Sequence, residues 1–224
     1  AAFSTAQVAG LTTAQAVGLT TDQVVSLTTA QVAALTTAQV KALTTYQIAN
    51  LSAAQFALLE TRDVAVLSAT QAPNLSTDAI VALTTAQAAA LNSAALNALS
   101  SDQLAALETA DLAVMSTAQL SQLETVQLAL LSTDQLVALN TRQISTLTTA
   151  QIAALDSNQL NNLASDDLQA LSTAQVAALT TDQVANLSSS QVALMQSRDV
   201  AAFTTAQLVV LSTDAVAAFT TNQA

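Results

Sequence analysis

The chain repeats one eight-residue unit throughout, and this period limits its possible folds more than any other feature. With the leucine of each octapeptide taken as position 1, that position falls at Phe3, Leu11 and every eighth residue to Phe219. All 28 occurrences are Leu, Phe or Met, and position 6 is always apolar. Position 3 is Thr or Ser in 26 octapeptides. No insertion or deletion breaks the frame, so the sequence predicts one uninterrupted array over residues 1–224.

Position 5 is nearly as regular as position 1. It is Gln in 21 octapeptides, Ala in three and Asp in four, the last being Asp63, Asp111, Asp167 and Asp199. The sequence starts and stops in mid-repeat without a polar capping unit, which solenoids normally need. We therefore expect either excision from a longer array or ends that join in an assembly.

Positions 6 and 1 lie three residues apart, and this spacing indicates helices. Residues on one strand face are an even number apart, whereas residues three apart, such as Val8 and Leu11, are neighbours on a helix. Ala, the best helix former, is abundant, and Gly10 and Gly18 are the only glycines. The sequence therefore predicts an all-α fold, with a β-solenoid as the alternative.

A pair of Ser or Thr residues, followed after one residue by Gln, repeats the signal for a helix start. The hydroxyl can accept a free backbone N–H, and acidic residues there favour the positive end of the helix dipole. Ser132 and Gln135 have the spacing of a capping box, which favours position 2 as the cap, but position 3 is the more regular of the two. Both positions stay open. One long helix would rotate its apolar stripe by about 80° per octapeptide, so we predict one short helix per octapeptide.

A single octapeptide cannot fold alone. Burial of one Leu and one Val contributes roughly 3–6 kcal/mol, whereas ordering eight backbone residues costs about 8–16 kcal/mol. Octapeptides must therefore stack as a solenoid. We expect two octapeptides per coil, that is, a sixteen-residue helical hairpin, with a small kink at the segment Ala72, Pro73 and Asn74.

The composition argues against several classes of partner. Four Lys and Arg residues against 15 acidic residues give a net charge of −11, so we expect no nucleic-acid partner and no anionic membrane surface. The longest uncharged stretch, residues 79–101, is too polar to span a bilayer, so we expect no membrane insertion. The chain has no Cys, which excludes disulfides and cysteine-ligated zinc.

Reactive side chains are scarce, because the chain also lacks His. Asp166 and Asp167, the only adjacent carboxylates, would point about 100° apart on a helix, so we interpret them as helix-start acids. The scattered acids and rare glycines do not match a calcium loop. We predict no catalytic residue, no cofactor and no metal ligand, and hence no enzyme.

Two other residue sets are explained by the repeat itself. Arg62, Arg142 and Arg198 occupy position 4, where we interpret them as exposed charges among acids. Asn-x-Ser triplets begin at Asn50, Asn74 and Asn186; they arise whenever position 8 is Asn and position 2 is Ser, and are a weak indication of glycosylation.

The unit Leu-Ser-Thr-Ala-Gln-Val-Ala-Ala-Leu, residues 171–179, resembles octapeptide repeats of long bacterial surface or secreted proteins that carry adhesin-like or haem-utilisation labels. The resemblance implies an extracellular or cell-surface setting and a stalk or adhesin role. The haem label gains no support from these residues, since Tyr46 is the only Tyr, and Met115 and Met195 occupy position 1. We expect a spacer or scaffold that self-associates through its ends, or a binding module whose Thr/Gln face engages glycan, protein or ice.

Overall fold

The structure, a computed structural model, describes residues 3–220 and 223. Over these residues it contains short α-helices of four to six residues and no strand. The prediction of an all-α solenoid of one helix per octapeptide is confirmed, and the β-solenoid alternative is wrong. The α-helices α1 to α26 are Thr5–Ala9, Thr13–Val17, Thr21–Val25, Thr29–Ala33, Thr37–Ala42, Thr45–Ala49, Ala53–Phe56, Thr61–Val64, Thr77–Val81, Thr85–Ala90, Ser93–Asn97, Ser101–Ala106, Thr109–Val114, Thr117–Ser121, Thr125–Ala129, Thr133–Val137, Thr141–Ser145, Thr149–Ala154, Ser157–Asn161, Ser165–Gln169, Thr173–Ala177, Thr181–Ala185, Ser189–Leu194, Ser197–Val200, Thr205–Leu208 and Thr213–Ala217.

Each α-helix begins at position 3, and position 2 is its N-cap. Gln47 N–H donates to Thr44 Oγ1 at 3.1 Å, and Thr44 N–H donates to Gln47 Oε1 at 2.9 Å. This reciprocal pair is a capping box, and it recurs in most helices. Of the two candidates that the sequence left open, position 2 is therefore the cap.

The chain turns between helices without a left-handed residue. Leu43 at position 1 and Thr44 at position 2 both have extended backbones, with φ/ψ of −53°/137° and −68°/159°. No described residue has a positive φ, and Gly10 and Gly18 are themselves right-handed. The turn therefore does not require glycine, which explains why an array of so many turns can be almost free of it.

Helices pack on the third helix along the chain. The N-terminal compact part, Ala1–Met115, pairs α1 with α4, α2 with α5 and α3 with α6, and the C-terminal part, Ser116–Ala224, pairs α14 with α17 and α15 with α18 in the same way. The expectation of two octapeptides per coil is wrong, since packing partners are three octapeptides, or 24 residues, apart. A helix of about five residues is roughly 7 Å long, too short for a two-helix coil to enclose a leucine core.

Pro73 changes one helix but not the frame. The octapeptide that contains it forms a 3-10 helix, Ala72–Asn74, in place of an α-helix, because proline has no N–H for the helical hydrogen bond. Gln71 in the same octapeptide still donates to the carbonyls of Val40 and Leu43. The change that the structure shows at this segment is in the helix type, and the small kink stays a prediction.

The core is formed by positions 1, 5 and 6. Position 1 is buried from Leu27 to Phe203, and position 6 is buried from Val8 to Val192. Positions 2 and 4 mostly face outward, and position 3 is exposed or half-buried. Most octapeptides thus contribute two apolar side chains and one amide to the interior.

Candidate functional site

The buried glutamines at position 5 join one coil of the solenoid to another. Gln47 Nε2 donates to the carbonyls of Ala16 and Leu19, at 3.0 and 2.9 Å, which lie 31 and 28 residues earlier in the chain. Because Gln47 Oε1 holds the N–H of Thr44, one side chain caps its own helix and also binds the turn beneath it. We call this repeated arrangement the glutamine ladder; fourteen of its members are Gln31, Gln39, Gln47, Gln55, Gln71, Gln87, Gln103, Gln151, Gln159, Gln175, Gln183, Gln191, Gln207 and Gln223.

The ladder supplies a hydrogen bond to the position-1 carbonyl of the turn. The carbonyl at position 6 accepts the N–H of the next position 1, as Val8 does from Leu11, but the carbonyl of Leu11 receives its hydrogen bond from Gln39 Nε2 at 2.7 Å. A buried carbonyl without a donor costs about 1–3 kcal/mol. The amide at position 5 therefore satisfies a main-chain group that the helix breaks would otherwise leave unpaired.

Sequence reasoning treated position 5 as a capping residue and missed this second role. One signal was available: Glu never occurs at position 5, although it would complete a capping box as well as Gln does. Glu has the same length but no donor, and its charge would lie against carbonyl oxygens. The exclusion of Glu indicates that the amide hydrogens at this position are used.

Four aspartates interrupt the ladder, and all are buried. Asp63 still accepts from the N–H of Glu60 at 3.3 Å, and it gains a hydrogen bond of 2.6 Å from Thr37 Oγ1. Asp111 Oδ2 and Asp199 Oδ1 are buried and have no hydrogen-bond partner among the residues that the structure describes, although Arg198 Nε lies 3.5 Å from Asp199 Oδ1. An ionised Asp keeps the cap of its own helix but has no proton to donate to the turn below.

Burial raises the pKa of two of these carboxyls. The charge of Glu108 raises the pKa of Asp111 further, and the N–H of Glu108 partly opposes the rise. The pKa of Asp167 is raised by burial and by Asp166, against the hydrogen bonds of Thr141 and Ala164, which lower it. Both carboxyls are thus destabilised in their ionised form at neutral pH.

In two octapeptides that lack Gln at position 5, an amide side chain at position 2 donates the hydrogen bond in its place. In the octapeptide with Ala95 at position 5, Asn92 Nδ2 donates to the carbonyls of Ala65 and Leu67 at 2.9 and 2.7 Å. Ala65 and Leu67 lie 30 and 28 residues before Ala95. Gln39 donates to carbonyls at the same two separations, those of Ala9 and Leu11. In the octapeptide with Asp199, Gln196 Nε2 donates to the main-chain carbonyl of Gln169 at 3.2 Å. An amide at position 2 thus replaces the missing one.

The other residues selected from the sequence lie apart from one another. Asp166 is exposed and Asp167 is buried, so the adjacent carboxylates do not share one surface. The exposed guanidinium of Arg62 lies 2.6 Å from Glu60. Over the described part of the chain, no group of three acidic residues could hold a metal ion.

The asparagines of the Asn-x-Ser triplets have a local role in common. Asn50 Nδ2 donates to the carbonyl of Tyr46, Asn74 Nδ2 to that of Thr70, and Asn186 Nδ2 to that of Asp182, at 2.7–2.8 Å. Each side chain thus donates to the carbonyl four residues before it. Glycosylation of these residues stays a prediction, and it would break this hydrogen bond.

No helix within residues 3–220 is long and apolar enough to cross a membrane. Short helices in a fixed repeat, joined between coils by buried side-chain amides, define the chain as an α-helical repeat protein of the solenoid class. It belongs to the ALTTAQ repeat family, which matches residues 1–29, 26–53, 56–93, 104–141, 135–165, 161–197 and 192–224. No curated protein matches the chain.

Proposed function

We propose that this chain is a structural segment, a spacer or scaffold, of a bacterial surface or secreted protein, and that it is not an enzyme. The glutamine ladder is the observation that carries the proposal. Its bonds join residues 28–31 apart at regular intervals, so each coil is fixed to another by directional contacts as well as by the apolar core. Within each of the two compact parts, these bonds support the rigidity that a spacer needs.

A spacer must be rigid, and the absence of Cys makes rigidity measurable. Exposed alanines at position 4 can be replaced by Cys and spin-labelled in pairs within each compact part: Ala6 with Ala110 in the first, and Ala118 with Ala206 in the second. We expect one narrow distance distribution for every pair in electron–electron double resonance. A broad distribution within either part, in a protein whose circular dichroism is helical, would contradict a spacer role.

The bacterial surface setting needs a separate test. The net charge of −11 and the largely polar exposed positions are compatible with an extracellular segment, and the resemblance to bacterial surface repeats supports the setting. Antibodies raised against the purified chain should label intact, unpermeabilised cells of the source bacterium. Labelling that appears only after permeabilisation would place the protein inside the cell and overturn this part of the proposal.

We also propose that such segments associate end to end into filaments. Helices three octapeptides apart pack through the same core positions within each compact part, so the surface that one coil offers to the next recurs along the chain. The same packing between coils of two copies would bury apolar side chains, which is favourable. Elongated particles whose mean length grows with protein concentration in electron micrographs are the expected result.

A binding module is the second candidate, and the structure changes which face would bind. The ladder glutamines are buried, so they are not available to a ligand, and the expected Thr/Gln face is reduced to its Thr residues. The hydroxyls at position 3, such as those of Thr45 and Thr85, are exposed and are not used as caps. An open groove of about 730 Å³ beside Arg62 also contains Thr36 and Thr37.

Thr at position 2 caps the helix, whereas Thr at position 3 would form the binding face. Because these are different positions, substitutions can test capping and binding separately. Replacement of exposed position-3 threonines by Val should abolish binding to glycan or ice, if such binding exists, without unfolding the protein. The wild-type chain would be tested first on a glycan array and for thermal hysteresis of ice growth. Binding that survives the Thr→Val changes would exclude the position-3 row as the binding face.

A further inference from the structure

Where Asp replaces Gln at position 5, the position-1 carbonyl 28 residues earlier has no hydrogen-bond donor. The carbonyls concerned, which no donor among the described residues reaches, are those of Leu35, Leu83, Leu139 and Leu171, for Asp63, Asp111, Asp167 and Asp199 respectively. All four leucines are buried. A carboxylate cannot donate, so each of these places combines a buried negative charge with a main-chain oxygen that lacks a hydrogen.

Neighbouring groups stabilise the charge of two of these aspartates directly. Thr37 Oγ1 donates to Asp63 Oδ1 at 2.6 Å, and Arg62 Nε lies 4.0 Å from the same oxygen. Arg198 Nε lies 3.5 Å from Asp199 Oδ1. In both octapeptides the arginine at position 4 precedes the aspartate, so a cation is built into the repeat beside the buried carboxylate.

Asp111 has neither kind of partner. Thr141 favours the ionised form of Asp167 through a side-chain hydrogen bond, but Thr85, which likewise lies 26 residues before Asp111, leaves Asp111 Oδ2 without a hydrogen bond. The residue before Asp111 is Ala110 and not an arginine. Asp111 is 1% exposed, and its Oδ2 has no partner among the described residues.

The titratable groups around Asp111 do not compensate its charge. Burial is the main cause that raises the pKa of Asp111, and the negative charge of Glu108, at the N-cap of the same helix, raises it further. Helix α10, which packs on α13, has no titratable residue. Asp102 on the preceding helix α12 is exposed, and Asp134 on α16 belongs to the other compact part. None of these groups is a cation.

We propose that Asp111 is a member of the glutamine ladder in its protonated form, in which Oδ2–H donates to the carbonyl of Leu83. A neutral carboxyl group has one oxygen that accepts and one that donates, as the amide of Gln has an acceptor oxygen and a donor nitrogen. One proton thus supplies the hydrogen that both the buried Oδ2 and the buried main-chain carbonyl lack. The separation of 28 residues is the one that Gln39 and Gln47 use.

This bond makes one contact between coils sensitive to pH. Because Asp is one carbon shorter than Gln, the bond draws the turn at Leu83 toward α13. Ionisation removes the hydrogen and leaves a buried carboxylate near a carbonyl oxygen, which is unfavourable. The contact between this turn and α13 therefore tightens as the pH falls through the pKa of Asp111 in the folded state, and it loosens as the pH rises.

Nuclear magnetic resonance of the full chain tests the bond directly. The carboxyl carbon of Asp111 reports its protonation, and the carbonyl carbon of Leu83 is read through the N–H of Thr84. We expect both signals to move with one midpoint, at a higher pH than the midpoint of the exposed Asp102. In Asp111→Gln, which restores the regular ladder, the Leu83 carbonyl should keep a hydrogen-bonded shift at every pH.

Thermal unfolding tests the effect on the contact. Asp111→Asn keeps the length of the side chain and a donor but has no charge, so its melting temperature at neutral pH should exceed that of the wild type. Asp111→Ala, which has no donor, should melt below Asp111→Asn. The controls Asp102→Asn and Asp134→Asn remove one charge each at exposed sites and should leave the pH dependence of the wild type unchanged.

Three results would overturn the proposal. A Leu83 carbonyl signal that does not move while Asp111 titrates would exclude the hydrogen bond. An Asp111 that titrates no higher than Asp102 would show that the buried carboxyl is ionised. A melting temperature at neutral pH that differs between Na⁺ and Ca²⁺ at constant ionic strength, but not in Asp111→Asn, would place a metal cation where the proton is proposed.

Discussion

Gln47 donates its side-chain amide to the carbonyl of Leu19, 28 residues earlier, over a distance of 2.9 Å. Leu19 belongs to the turn that precedes another helix, so this one bond joins two segments that no local interaction would bring together. The same relation recurs between Gln39 and Leu11, and between Gln55 and Leu27. The predictions that follow test whether these bonds, rather than the leucine core alone, hold the coils together.

Replacement of Gln47 by Glu should destabilise the protein by about 3 kcal/mol, because a buried carboxylate would face the carbonyls of Ala16 and Leu19 without a donor. Urea unfolding followed by circular dichroism gives the free energy of unfolding. Gln15→Glu is the matched control: the residue has the same position and the same capping role, but it is exposed and no coil lies beneath it. An equal loss in both variants would mean that the cap, and not the ladder, was being measured.

Asn92→Ser should cost about 1–2 kcal/mol, since Ser still caps the helix but cannot donate to Ala65 and Leu67. The second change Ala95→Gln should restore most of this loss, because it returns the amide to the position that the other octapeptides use. Thermal unfolding of the single and double variants measures the recovery. A double variant no more stable than Asn92→Ser would show that the two amides are not equivalent.

The contribution of Asp111 and Asp167 to the free energy of unfolding should rise as the pH falls through the pKa values of these carboxyls in the folded state. Burial raises the pKa values of Asp111 and Asp167 above the ordinary value of 3.8, so the folded state takes up protons at a higher pH than the unfolded state does. Stability therefore increases as the pH falls through the folded pKa values and levels off near the unfolded value. Asp111→Asn should flatten this dependence, whereas Asp102→Asn, at an exposed site of the preceding octapeptide, should not.

The N-cap assignment can be tested with adjacent threonines. Thr44→Ala removes the acceptor of the Gln47 N–H and should cost about 1 kcal/mol. Thr45→Ala, one residue later, should change the free energy of unfolding by no more than about 0.5 kcal/mol, because this side chain is exposed and Ala favours the helix. The reverse order of the two effects would assign the cap to position 3.

The sequence was sufficient for the local structure. The three-residue spacing of positions 6 and 1, as in Val8 and Leu11, predicted helices, and the recurrent start signal predicted one helix per octapeptide. These predictions succeed because capping and helix propensity act between residues a few positions apart. The same reasoning placed Leu and Val in the core, and both positions are buried over most of the chain.

The packing of the helices was decided only by the tertiary structure. An octapeptide period does not state whether a helix will meet its second, third or fourth successor, and the expectation of two octapeptides per coil failed on this point. The second role of Gln at position 5 was hidden for the same reason, since the carbonyls that need its amide are 28–31 residues away. Local interactions determined where this chain turns, and the geometry by which buried carbonyls are satisfied determined which turns lie together.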